Sequence, residues 1–206
     1  FIQEEAAPRV LEMLAGAMQE LRMGDPMQPD TDIGPLIDAQ ALNALNAHAA
    51  RMSGIGKLIA ETPLPSDLAQ GYYFAPRAFE IDSLAHVTGE VFGPILHVIR
   101  YRADQLDKVC AAINALGYGL TLGIHSRIEA RVKEICARMR VGNIYVNRNM
   151  IGAVVGSQPF GGEGLSGTGP KAGGPRYLHR FATERTRSTD TTAAGGNAAL
   201  LSLGEQ

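Results

Sequence analysis

The sequence predicts an α/β fold with a parallel β-α-β-α-β run as its most legible part, and three observations carry that expectation. Between residues 95 and 147, short apolar runs alternate with stretches of helical periodicity. Helix-start residues stand ahead of those stretches and a glycine stops the first of them. The chain of 206 residues is 45% hydrophobic and 19% charged, near globular averages, which fits one α/β core with an appendage.

Taken in order, Ala7, Val10, Leu11, Leu14, Ala17, Met18 and Leu21 follow the i, i+3, i+4, i+7 template, so an amphipathic helix is expected there, stopped by Gly24 and Pro26. A second helical stripe, Leu42, Leu45, Ala49 and Met52, follows "TDIGPLID" and ends before Gly54. Strands are expected near Lys57 to Glu61 and from Tyr72 to Ile81, with Pro76 making the latter an edge strand or a broken one. "ILHVIRY" (95–101) reads as a strand, and Asp104 as the cap of a helix through Leu106, Val109, Cys110, Ile113 and Leu116, stopped at Gly117. "LTLGIH" (120–125) is the next strand. Ser126 and Glu129 have the spacing of a capping box for a helix burying Ile128, Val132, Ile135, Cys136 and Met139. "NIYVN" (143–147) is the third strand, and this order implies parallel pairing with right-handed crossovers.

A net charge of −2 gives no reason to expect nucleic acid or an anionic membrane as partner. No run reaches the ~18 apolar residues of a membrane span and no signal peptide opens the chain, so a soluble, cytoplasmic protein is expected. The opening "FIQEEAAP" lacks methionine, which suggests a cut inside a longer protein. Cys110 and Cys136 fall on apolar helix faces, where a thiol is a small hydrophobe more readily than a thiolate nucleophile. The five histidines show no metal-ligand spacing, and His97 and His125 read as structural residues of strands, so no metal is expected.

Residues 158–175, "QPFGGEGLSGTGPKAGGP", are dense in glycine and proline, and they follow the carboxyl end of a strand, where open α/β sheets bind ligands. Glycines there let backbone amides approach a ligand. Gly162, Gly164 and Gly167 spell the dinucleotide fingerprint, but Pro159 precedes them and no helix follows, so the match is incidental. Nor does Lys171 complete a phosphate loop, because Pro170 stands where glycine is needed. In "GEVFGPILHV", Glu90 and Phe92 sit between Gly89 and Gly93. Taken alone they read as a solvated carboxylate and a core aromatic.

"EVFGP" (90–94), "NALGYGL" (114–120), "GNIYVN" (142–147) and "QPFGG" (158–162), in that order, resemble the C-terminal half of the aldehyde dehydrogenase superfamily. "GAVVGSQPFGG" and "KAGGPRYLHRF" resemble its glutamate-semialdehyde (1-pyrroline-5-carboxylate) dehydrogenase branch, and "TTAAGGNAALLSL" resembles the tail of bifunctional proline-catabolic members. The resemblance implies the C-terminal part of a catalytic domain over 1–177 and an oligomerisation strand and tail over 178–206, the latter pairing with a second copy. It implies NAD as cofactor, and FAD in a proline dehydrogenase domain upstream. Glu90 resembles the carboxylate that accepts hydrogen bonds from the ribose beside nicotinamide, and Phe92 would pack on that ring. Gly152 and Ala153 resemble a turn whose amides receive the substrate α-carboxylate, and Phe160 would wall the aliphatic part. Ile151 stands where threonine is expected. The nucleophilic cysteine and general-base glutamate of the family lie outside this chain, so the segment alone is expected to be inactive. A non-catalytic association module and another semialdehyde branch are the alternatives, separable by the upstream coding sequence and by an aldehyde panel.

Overall fold

Two compact units divide the chain, Phe1–Leu116 and Gly117 onward. The structure, a computed structural model, describes residues 1–151, 154 and 156–190.

In the first unit the apolar stripes form the expected helices. Helix α1 (Ala7–Gln19) has proline in its first turn and buries Ala7, Leu11 and Met18. Helix α2 (Ala39–Ile55) starts at Asp38, whose carboxylate accepts from the Ala41 amide at 2.8 Å. Its buried face is Leu45, Ala49 and Met52. Short strand β1 (Ile2–Gln3) precedes α1, and strands β2 (Lys57–Glu61), β3 (Arg77–Glu80), β4 (Ile95–Val98) and β5 (Arg100–Tyr101) follow α2. β3 is the centre of a three-stranded sheet, antiparallel to β2 and parallel to β4. β1 pairs with β5 in parallel, Ile2 opposite Arg100. One apolar cluster joins Leu45, Ala49 and Met52 to Phe74, Phe79, Ile81 and Ile99. A smaller one sets Met18 against Ala60 and Ala78, and the buried Thr62 hydroxyl donates to the Met18 carbonyl at 2.9 Å, tying α1 to the sheet.

Of the two alternatives at Pro76 the strand is a broken one and not an edge. β3 begins just after it, in the middle of the sheet, and the Pro76 carbonyl accepts from the Thr62 amide at 2.9 Å. The missing amide lies outside the ladder and costs nothing there. Asp104 does not cap. A 3-10 turn (Ala103–Gln105) leads into helix α3 (Leu106–Ala115), which has no side-chain cap, and the Asp104 carboxylate instead accepts from two guanidinium nitrogens of Arg102, each at 3.1 Å. Gly117, at φ 75°, takes the left-handed conformation that ends α3.

The second unit contains strand β6 (Tyr118–Gly119), strand β7 (Thr121–Ile124), helix α4 (Glu129–Arg138), strand β8 (Asn143–Val146) and strand β9 (Glu163–Gly164). β7 and β8 pair in parallel around α4, and β6 pairs antiparallel with β9. The fold is thus mixed α/β, and the expected single β-α-β-α-β sheet is corrected. "ILHVIRY" breaks after Val98 and its two pieces pair with β3 and β1, so of the expected run β7-α4-β8 is the part that forms a parallel β-α-β unit. Apolar runs locate strands without saying which edge each one joins.

The capping box at Ser126 also fails. α4 starts at Glu129 itself, and the Ser126 hydroxyl accepts from the Ile128 amide at 3.1 Å. Glu129 pairs with Lys133 at 2.7 Å. His125 is exposed just past β7 rather than within it. Cys110 is buried and Cys136 half-buried, both as free thiols. The tail forms a 3-10 turn at Leu178–Phe181, and residues 182–190 form no strand, so the oligomerisation strand has no ladder among the described residues. Residues 191–206 lie outside them. No helix among the described residues is long and apolar enough to cross a membrane.

Candidate functional site

Glu90 and Phe92 lie on the loop that connects the 3-10 turn Leu84–His86 to β4. The Ser83 hydroxyl accepts from the Ala85 amide at 3.1 Å and starts that turn. Gly93 lets the loop cross α2 closely, since a Cβ there would meet the Leu45 side chain. Phe92 is therefore not a core aromatic. Its side chain is 87% exposed, and Glu90 is exposed too. Between this loop and α2 runs a groove of about 260 Å³, walled by Ala44, His48 and Arg51 on the helix and Thr88, Glu90 and Phe92 on the loop.

Arg51 braces the groove. Its guanidinium donates to the His86 carbonyl at 2.7 Å and to His48 Nδ1 at 3.2 Å. An arginine can only donate, so His48 Nδ1 is an acceptor and its proton sits on Nε2. That Nε2 lies 2.8 Å from His97 Nε2, with the rings edge to face at 5.0 Å. His97 then accepts on Nε2 and carries its own proton on Nδ1. Burial lowers the pKa of His48, with Arg51 adding to it, and burial lowers that of His97, with His48 and Arg51 adding. The chain Arg51, His48, His97 is a relay of neutral imidazoles that joins α2 to β4 and to the base of the Glu90 loop.

The glycine-rich segment is built differently. Asn143, 7% exposed at the head of β8, donates to the Leu120 carbonyl at 2.8 Å and to the Gly161 carbonyl at 2.9 Å. Its Oδ1 accepts from Lys171 Nζ at 3.1 Å, and the same ammonium donates to the Gly142 carbonyl. Phe160 and Ala172 exchange backbone hydrogen bonds at 3.0 and 3.1 Å. The Ser166 hydroxyl accepts from the Gly119 amide at 3.1 Å. A Cβ on Gly142 would strike the Gly161 carbonyl, and one on Gly167 the Gly162 carbonyl. These glycines bring backbone against backbone, where the sequence suggested backbone against ligand.

At the other end of the loop, Asn147 is the single non-glycine residue with positive φ, 53°, among the described residues. Its side chain accepts from the Ser126 amide and donates to the Ser126 carbonyl, both at 2.9 Å. The backbone of Ser126 is thereby held by Asn147, while its hydroxyl is taken by the Ile128 amide and does not reach the first turn of α4.

Between these pegs lies a cleft of about 390 Å³ lined by Asn143, Tyr145, Arg148, Ser157, Gln158 and Lys171 among others. The Arg148 guanidinium stacks 4.9 Å over the Tyr145 ring. Among the described residues, two cations and no carboxylate line the cleft. Phe160 is half-buried and held by its bridge to Ala172. Gly152 and Ala153, the expected substrate-anchoring turn, lie outside the described residues. The sequence pattern gives no role to the asparagines of "GNIYVN", to His48 or to Arg51, and presents Lys171 only as a failed phosphate-loop residue. The i, i+3 spacing of His48 and Arg51 on one helix face was the available signal.

The model of the aldehyde dehydrogenase family matches residues 1–186, and the chain belongs to that family. Within it, the chain is 50% identical over 189 residues to the bifunctional protein PutA of Klebsiella aerogenes, covering 89% of this chain and 14% of that protein. It is 36% identical over 179 residues to the 1-pyrroline-5-carboxylate dehydrogenase of Geobacillus kaustophilus, covering 86% of this chain and 34% of that enzyme. A crystal structure of a proline utilization A mutant from Bradyrhizobium japonicum aligns with a TM-score of 0.85 at 56% identity, over 95% of this chain and 20% of the other. The chain thus spans a minor part of the proteins it matches.

Proposed function

We propose that this chain is a segment of an NAD-dependent aldehyde dehydrogenase that oxidises L-glutamate γ-semialdehyde to L-glutamate in proline catabolism. One observation carries the reading. The same residues are similar both to a bifunctional protein and to a separate 1-pyrroline-5-carboxylate dehydrogenase, so the likeness falls on what those two proteins share.

The residues of the first groove fit the nicotinamide-ribose half of the cofactor. Glu90 offers an exposed carboxylate that can accept from two vicinal hydroxyls, and Phe92 two residues on offers a free ring face. At about 260 Å³ the groove is sized for that half and not for a whole dinucleotide. NAD, when bound, supplies the hydride acceptor. Glu90 would fix the ribose and thereby the angle at which the ring meets the aldehyde, with Phe92 packed on the ring. In the other unit, the amides of Gly152 and Ala153 would receive the α-carboxylate, and Phe160 would wall the methylene part of the substrate. Cys110 is buried and Cys136 is a half-buried residue within α4, and neither is assigned as the nucleophile. The nucleophilic cysteine and the general-base glutamate belong to the rest of the enzyme.

The same reading assigns 1–177 to the catalytic domain and 178–206 to an oligomerisation strand and tail that pair with a second copy. It places the protein in the cytoplasm, with a flavin-bearing proline dehydrogenase domain upstream. The full-length protein should form NADH from glutamate semialdehyde, and the 206-residue segment alone should form none. Ala153→Leu in the full-length protein should raise the KM for glutamate semialdehyde about tenfold or more. An unchanged KM removes the anchor assignment.

A further inference from the structure

We propose that Asn143 and Lys171 are positioning residues for substrate: they fix the far stem of the loop that runs from β8 through the anchor turn, and so set the geometry with which that loop meets an amino-acid aldehyde. The proposal rests on the substrate reading above. The loop leaves β8 at Asn147 and returns at Gly161. Its near stem is pegged by Asn147 on Ser126. Its far stem has no sheet partner at Gly161, where the Asn143 amide group is the donor that holds the carbonyl, at 2.9 Å. Asn143 is the junction of three backbone segments, because its two N–H donors reach Leu120 and Gly161 while its oxygen receives the Lys171 ammonium. Lys171 closes the ring by donating to Gly142, and its neighbour Ala172 bridges Phe160 on the loop itself.

The chemistry selects these residue types. An amide is the smallest side chain that can donate twice and accept once from one planar group, and aspartate here would set a carboxylate against two carbonyls. Lysine supplies one strong, charged donor to two oxygens at a nearly buried site. A loop whose ends are fixed holds its amides ready for a ligand, whereas one free at the far stem must be ordered on binding.

The test uses the full-length protein with Lys171→Met, Lys171→Arg and Asn143→Asp. Two readouts are taken: kinetics with glutamate semialdehyde against propanal, which has no carboxylate, and amide hydrogen exchange of residues 156–170 without substrate. Lys171→Met should raise the KM for glutamate semialdehyde about tenfold or more, change the KM for NAD and the kcat/KM for propanal less than about twofold, and speed loop exchange. Lys171→Arg, which keeps a charged donor, should restore most of both. Equal losses on the two aldehydes, unchanged exchange, or failure of arginine to rescue each overturn the proposal. If Asn143→Asp fails to fold, the lysine pair still decides. Wild-type protein that oxidises propanal but not glutamate semialdehyde sinks the substrate reading and, with it, a role in positioning that substrate, while the exchange data separately report whether the pair orders the loop.

Discussion

The two units hold themselves together by different means. The first packs Leu45, Met52, Phe79 and their neighbours into an apolar cluster between a helix and a three-stranded sheet. The second ties its loops with Asn143, Asn147, Ser166 and Lys171, and with glycines whose backbones touch. Apolar packing is non-directional and tolerates exchange of volume, whereas a ring of directed hydrogen bonds fixes a backbone path and fails when one member is lost. The difference suits a rigid platform in the first unit and a shaped loop in the second.

Four changes to the intact protein test this contrast, in descending size. Phe79→Ala should cost about 3–5 kcal/mol through lost burial and the cavity left behind. Exchange of the α2, β2 and β3 amides should speed most, and equal speeding in the β7-α4-β8 unit would erase the distinction between the two kinds of packing. Gly142→Ala should cost about 1–3 kcal/mol, since its Cβ meets a carbonyl and not a flexible side chain. Its effect should centre on residues 156–171. Asp38→Ala should cost about 1 kcal/mol, the usual value of a lost helix cap, read as a shift in the urea midpoint.

The smallest effect is on pH. His48 and His97 have folded-state pKa values below their ordinary 6.5. Below that value the unfolded chain binds more protons than the folded one, so stability is full above about 6.5 and falls as pH drops toward the lowered folded values. Urea midpoints across roughly pH 8 to pH 5 should show this decline. His97→Leu should flatten it, and an unaltered slope would mean that the imidazole relay does not govern it.

Legibility followed the same division. α1 starts at Ala7 and β2 spans Lys57–Glu61 as the pattern predicts, because burial against a sheet writes a period into the chain. Cap assignments failed where the side chain found a competing local partner: the Asp104 carboxylate took Arg102, and the Ser126 hydroxyl took the Ile128 amide. Strand order failed because "ILHVIRY" breaks between two partners, one of which is β1, nearly a hundred residues earlier. At the site, "EVFGP" was found by resemblance, and the groove beside it by the structure. The bond from Lys171 to Asn143 spans 28 residues of irregular chain, so no periodicity could announce it.

The pairing of β1 with β5 also has a bearing on synthesis. Ile2 and Gln3 find their partners at Arg100 and Tyr101, so on a ribosome adding about 5–20 residues per second those first residues wait roughly 5–20 s before their ladder can close. During that interval a chaperone, or a stretch of slow codons, has its opportunity to act on the nascent chain.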